Sequence, residues 1–164
     1  MSVMADDTDA PRSRRAAFLL SQLGALATTR FGERTRQIGL TPSDAGVLRL
    51  LGRNPGLSQR ELADRFGAVP SRIVSLVDSL EERGLVHRVR SAIDRRSYEL
   101  QLTAEGATAL RALRRIAEAH DAELLAALSA EEVLQLEGLL RKLADATRVD
   151  PDVHADTHAT PREP

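Results

Sequence analysis

Eight residues in two clusters carry the chemistry this chain can do. Ser71, Arg72 and Ser75 fall on the outward side, near the start of a helical stretch from Pro70 to Gly84. Arg88, Arg90, Asp94, Arg95 and Arg96 follow within a few residues. An arginine on the first turn of such a helix can donate a bidentate pair to guanine, and serine hydroxyls can reach bases or phosphates. Between Arg88 and Arg96, four arginines face one aspartate, a local balance of +3 in a chain whose net charge is −1. Local sign governs contact with a polyanion more than the global sum does. Asp94-Arg95-Arg96 sits where a hairpin would turn, and an arginine there can enter a narrow minor groove. Asp94 can hold one guanidinium in place. Arg88 and Arg90, two apart on one strand face, are expected to touch phosphates. The plainer alternative for each of these arginines is a solvated surface charge.

These residues need a scaffold that presents them together. Ser58-Gln59-Arg60-Glu61 is a capping box that opens a helix to about Phe66. Gly67 breaks it, and Pro70 starts the next helix. Ala63, Gly67, Ile73 and Leu76 give the close approach, left-handed turn and inward stripe of a helix-turn-helix, with Leu62, Phe66, Val77 and Leu80 completing the stripe. Leu85 to Arg90 and Arg96 to Leu102 read as two short strands, the second alternating Tyr98, Leu100 and Leu102 with polar residues. Such a unit places a helix in the major groove and a basic hairpin over the neighbouring minor groove.

Around that unit the chain reads as helical. A first helix is expected from Ser13 to Gln37, with Phe18, Leu19, Leu23, Leu26 and Ala27 at helical spacing. Thr41, Pro42 and Asp44 open a second, whose apolar side is Val47, Leu48, Leu50 and Leu51, and Asn54-Pro55-Gly56 stops it. Thr103 caps a fifth helix to about Leu128. Ser129-Ala130-Glu131-Glu132, a second capping box, opens a sixth lined by Val133, Leu136, Leu139, Leu140 and Leu143. The expected fold is mainly α with a small β-hairpin wing. The first and sixth helices carry more apolar surface than one small domain needs, for instance Leu19, Leu23, Leu139 and Leu143, which points to an intersubunit surface.

Composition narrows the classes. The 164 residues and 42% hydrophobic content suffice for one domain with a real core. There is no cysteine, so disulfides, Cys-ligated zinc and thiol redox sensing are excluded. No apolar run approaches the roughly 20 residues of a membrane span. The start, MSVMADDTDAPRSRR, is polar, which sets a cytoplasmic location as the expectation. No nucleophile, base and orienting group cluster, and neither a phosphate-cradling Gly-rich loop nor HExxH is present, so neither an enzyme nor a cofactor is expected. The competing readings are a winged-helix adaptor that binds protein and not an operator, and a helical dimer whose hairpin is decoration.

The run SQRELADRFGAVPSRIVSLVDSLEERGLVHRVRSAIDRRSYELQLTAEG resembles the winged-helix core of MarR-family transcriptional regulators. The elements ELA, LVDSLEERGLV, DRR and LTAEG fall in the family's order and spacing, and the likeness is close from about Leu40 to Gly106. The resemblance implies a homodimeric regulator, read here as a repressor, on a pseudo-palindromic operator in double-stranded DNA. It implies that residues 13–38 and 104–148 form dimerisation helices around a DNA-binding region at 41–103. Residues 1–12 and 149–164 are expected to be disordered arms. The family's wing aspartate and the arginine two residues on map to Asp94 and Arg96. Many members carry Thr and a basic residue where this chain has Val74 and Ser75, and a basic residue at Ser79, departures that shift the operator sequence. Many release DNA when a small, often aromatic, acid binds, so the resemblance adds such an effector, although no residue here shows one. His120 falls near where that cleft would form, but a lone histidine on a helix is more often packed or solvated. His154 and His158 in the tail make a poorer ligand pair still.

Overall fold

The computed structural model describes residues 15–91 and 97–147. Six helices and one hairpin run in the order α1 (Ala16–Arg36), α2 (Pro42–Arg53), α3 (Gln59–Phe66), α4 (Pro70–Glu82), β1 (Val86–Arg90), β2 (Tyr98–Leu102), α5 (Ala104–Leu124) and α6 (Ala130–Thr147). The order is the expected one, and the fold is a mainly α winged helix-turn-helix. The expected arms at 1–12 and 149–164 lie outside the described residues.

Local chemistry explains the boundaries. Thr41 Oγ1 accepts from the Asp44 N–H at 3.1 Å, and Asp44 Oδ2 accepts from the Thr41 N–H at 2.9 Å. Asp44, expected to help open α2, therefore does so by closing a reciprocal cap on it. Ser58 and Glu61 form the predicted box on α3, at 3.2 and 2.8 Å. Gly67 ends α3 with φ +59, a backbone state that costs a residue with a Cβ. Helix α5 ends at Leu124, earlier than the expected Leu128. The chain tightens there: the Leu128 N–H donates to Leu125 O at 2.9 Å, a three-residue step that feeds the Ser129 cap.

Helix α2 is the hub, packing against α1, α4, α5 and β2. Its Val47, Leu48, Leu50 and Leu51 are fully buried, together with Leu62, Ile73, Val77, Leu80, Val86 and Leu100 from the elements around it. The helix-turn-helix stripe is inward as expected, with Phe66 and Leu76 only half-buried at its margin. The strands pair antiparallel with Val86 opposite Leu102, Arg88 opposite Leu100 and Arg90 opposite Tyr98. On its other edge β2 is tied to the α2–α3 loop: the Leu100 N–H donates to Leu57 O at 2.8 Å, and the Gly56 N–H to Leu100 O at 3.2 Å. The hairpin is thus anchored at Leu100 and leaves the core beyond it. Tyr98, expected to share the inward side with Leu100, is 46% exposed for that reason.

Candidate nucleic-acid interface

Helix α4 has two unlike faces. Ile73, Val77 and Leu80 are buried against α2 and α3, which turns Ser71, Arg72, Val74, Ser75 and Ser79 to the surface. The side chains expected at a groove therefore stand on one exposed face near the helix start. The Ser75 hydroxyl donates to Ser71 O at 3.2 Å within the helix, leaving its oxygen to accept. Val69 and Val74 are exposed as well, at 62% and 42%, and add apolar surface to the same end. Val69 was not among the expected residues. Its only signal in the sequence is its place just before Pro70.

The hairpin arginines divide. Arg90 is exposed, with its guanidinium carbon 5.8 Å from the centre of the Tyr98 ring. Arg88 is 22% exposed, and its two terminal nitrogens bond the Asp78 and Glu81 carboxylates of α4. Its own N–H also donates to Glu81 Oε1 at 3.1 Å. Burial alone would lower the Arg88 pKa, but the bond to Asp78 and the charge and bond of Glu81 outweigh it and raise the pKa above the ordinary value. Arg88, expected to be open to phosphate, is thus already engaged with two carboxylates of the protein. Asp94, Arg95 and Arg96 lie outside the described residues. The strands that lead to them are closed by the Ser91 N–H donating to Ser97 O at 3.0 Å.

A second arginine, absent from the expected set, holds the far end of α4. Arg83 Nη1 bonds Asp44 Oδ2 at 3.0 Å, and Nη2 donates to Gly39 O at 2.6 Å. The carboxylate that caps α2 therefore also binds the residue that ends α4, and the Asp44 side chain is only 4% exposed. Nothing local signals this pair, because 39 residues separate the partners.

Between α1, α2 and α5 lies a cavity of about 480 Å³. Phe31, Leu110 and Leu113 give it apolar walls, and Arg49, Arg53, His120 and Asp121 line it as well. His120 is buried, its ring 5.8 Å from that of Phe31. The Arg49 pKa is lowered, first by burial and then by Arg53, against an opposing pull from Asp121. Guanidinium charge held among apolar walls suits a small anion with an apolar body. Among the described residues no group of three or more His, Cys, Asp or Glu stands ready to hold a metal ion. No described helix is long and apolar enough to cross a membrane.

Comparison with known proteins agrees with this architecture. A model of the MarR family matches residues 38–97. A protein of Thauera aromatica, named as a candidate transcriptional regulatory protein for the hcr operon, is 41% identical over 105 residues. That match takes in 64% of this chain but 63% of the relative, just under two thirds of its length. A helix-turn-helix transcriptional repressor of Mycobacterium tuberculosis is 32% identical over 126 residues, 77% of this chain and 91% of that protein. Its structure in complex with salicylic acid aligns with a TM-score of 0.65 over 83% of this chain and 98% of that one. The transcriptional repressor CouR, solved on a 23-mer DNA duplex, aligns with a TM-score of 0.71 at 32% identity, over 79% of this chain and 92% of that one.

Proposed function

The chain belongs to the MarR family, and from that premise we propose that it is a transcriptional repressor that grips a pseudo-palindromic operator as a homodimer. One observation carries the reading: the buried stripe of α4 leaves Ser71, Arg72, Val74 and Ser75 together on an exposed face of a helix to which the basic hairpin is fastened. In this reading α4 enters the major groove. Arg72 pairs with guanine, Ser71 and Ser75 bind bases or phosphates, and Val74 meets a thymine methyl. Arg90, Arg95 and Arg96 serve the phosphates and the adjoining minor groove, with Asp94 orienting the loop.

The second copy is called for by the exposed leucines of α1 and α6, among them Leu23 at 55% and Leu139 at 63%. A twofold pair of reading heads then matches a twofold operator. The cavity at Arg49 and Arg53 is the seat we assign to an effector, a small aromatic acid whose carboxylate meets a guanidinium while its ring packs on Phe31 and Leu113.

The test is binding of the full chain to the DNA upstream of its own gene, measured across a salt series. Saturable retention that falls steeply with salt is the expected result, and no retention at micromolar protein would reject the reading. Arg96→Ala should weaken binding about tenfold and flatten the salt slope, because each lost phosphate contact removes about 0.9 from it. Arg72→Ala should relax the preference among operator variants, with a discrimination loss of about 1–3 kcal/mol at one base pair.

A further inference from the structure

We propose that Arg88 is a positioning residue that sets the angle of the wing to helix α4, and that it does not contact DNA phosphate. This rests on the DNA-binding reading above and assigns a role to a residue of the same site.

The geometry is that of a three-point clamp. The guanidinium spans Asp78 and Glu81, which stand three residues apart on one side of α4. The Arg88 N–H is bonded to the same Glu81 at 3.1 Å, so backbone and side chain of one strand residue are both held by the helix. The place along the strand matters too. Val86, two residues before, is buried in the core, and Arg90, two residues after, is exposed. Arg88 therefore grips α4 at the level where β1 leaves the core. From there to Ser91 the strand runs about 10 Å at roughly 3.3 Å per residue. A tilt of about 20° at Arg88 would move that end by about 3.5 Å, more than a hydrogen bond tolerates.

Charge argues the same way. Arg88 with Asp78 and Glu81 is a cluster of one positive and two negative groups. Turned towards a phosphate, Arg88 would abandon two carboxylates beside a polyanion. The cluster is better spent on aiming the loop that carries Arg95 and Arg96 than on binding a phosphate itself.

The test compares Arg88→Ala, Arg88→Lys and the double variant Asp78→Asn with Glu81→Gln, all in the full chain. Each is titrated against the operator duplex and against a scrambled duplex over a salt series. Arg88→Ala should lose at least about tenfold in operator affinity and flatten the salt slope as Arg96→Ala does, because a misaimed wing drops its own phosphate contacts. The double variant should also lose operator preference, although it removes two negative charges near the DNA. Lysine, able to reach one carboxylate at a time, should fall between. Operator affinity of Arg88→Ala within about twofold of the parent, or tighter operator binding by the double variant, would overturn the proposal. Amide exchange without DNA gives an independent readout. In Arg88→Ala the β1 amides should exchange several-fold faster while those of α2 and α5 are unchanged, and unaltered β1 protection would also overturn it. If the parent chain holds no duplex at all, the repressor reading fails, and the exchange result still decides whether Arg88 fastens the hairpin.

Discussion

The reading head and the terminal helices are built from similar residues put to opposite use. In the head, from α2 to β2, the leucines are inside: Leu48, Leu50, Leu62, Leu80 and Leu100 have no exposed surface. In α6 no residue is buried, and Leu134, Leu139 and Leu143 are 70%, 63% and 52% exposed. Helix α1 divides between the two regimes. Its end is packed through Phe31 and Thr35, while Phe18, Leu19 and Leu23 near its start are more than half exposed. The head buries its leucines within this chain, and the terminal helices leave theirs open. A leucine at helical spacing therefore says that something is to be covered, and the fold decides whether this chain or a second copy covers it.

Truncating one leucine in the head and two in α6 is the sharpest way to break that contrast. Leu80→Ala should cost about 2–5 kcal/mol in unfolding free energy, by loss of burial and a residual cavity, at any protein concentration. Leu139→Ala with Leu143→Ala should leave the head's core untouched and instead weaken the pairing of two copies, a loss of thermal stability that deepens as the protein is diluted. Equal losses at all concentrations in both variants would erase the distinction. Gly106→Ala tests how tightly the head is closed. A Cβ at Gly106 would lie 1.9 Å from the backbone oxygen of Leu85, which cannot swing away, so a loss of about 3 kcal/mol by denaturant melt is expected.

Arg83→Ala probes the joint between the regions, since Arg83 ties α4 to the turn after α1 through Gly39 O. It should cost about 2 kcal/mol, because the Asp44 carboxylate keeps its cap but loses its cation. The smallest effect belongs to the α3 cap. Ser58→Ala should cost about 1 kcal/mol. The backbone N–H and then the hydroxyl of Ser58 hold the Glu61 carboxyl below its ordinary 4.5. A depressed carboxylate stabilises the fold above that ordinary value and loses its contribution as pH falls through the lower, folded one. An acid melt of Glu61→Gln should lack that component, and an identical acid transition would refute the assignment.

How much of this was legible in the sequence follows from the range of each interaction. The caps at Thr41 and Ser58, the turn at Gly67, the start at Pro70 and the stripe through Ile73 and Leu80 rest on contacts within a few residues, and all could be read. Arg34 with Glu123 and Arg83 with Asp44 lie 89 and 39 residues apart and left no local trace. Arg88 is the instructive case. Its position beside Arg90 suggested an open basic strand, and what changed its meaning was a helix face bearing Asp78 and Glu81 that the hairpin folds back upon. Tyr98 kept the predicted strand but not the predicted burial, because alternation names a side and not how far the core extends along it. Most of the cavity's lining left no local trace for a related reason: α1, α2 and α5 each supply part of its wall, and only His120, placed near such a cleft by the family resemblance, pointed to it.

The stoichiometry of the complex with DNA tests the twofold grip most directly. Sedimentation velocity of the full chain with a labelled duplex from upstream of its gene should show a single complex of two chains per duplex, formed at submicromolar protein and dispersed by salt. One chain per duplex, or a duplex that sediments free in micromolar protein at low salt, would contradict it.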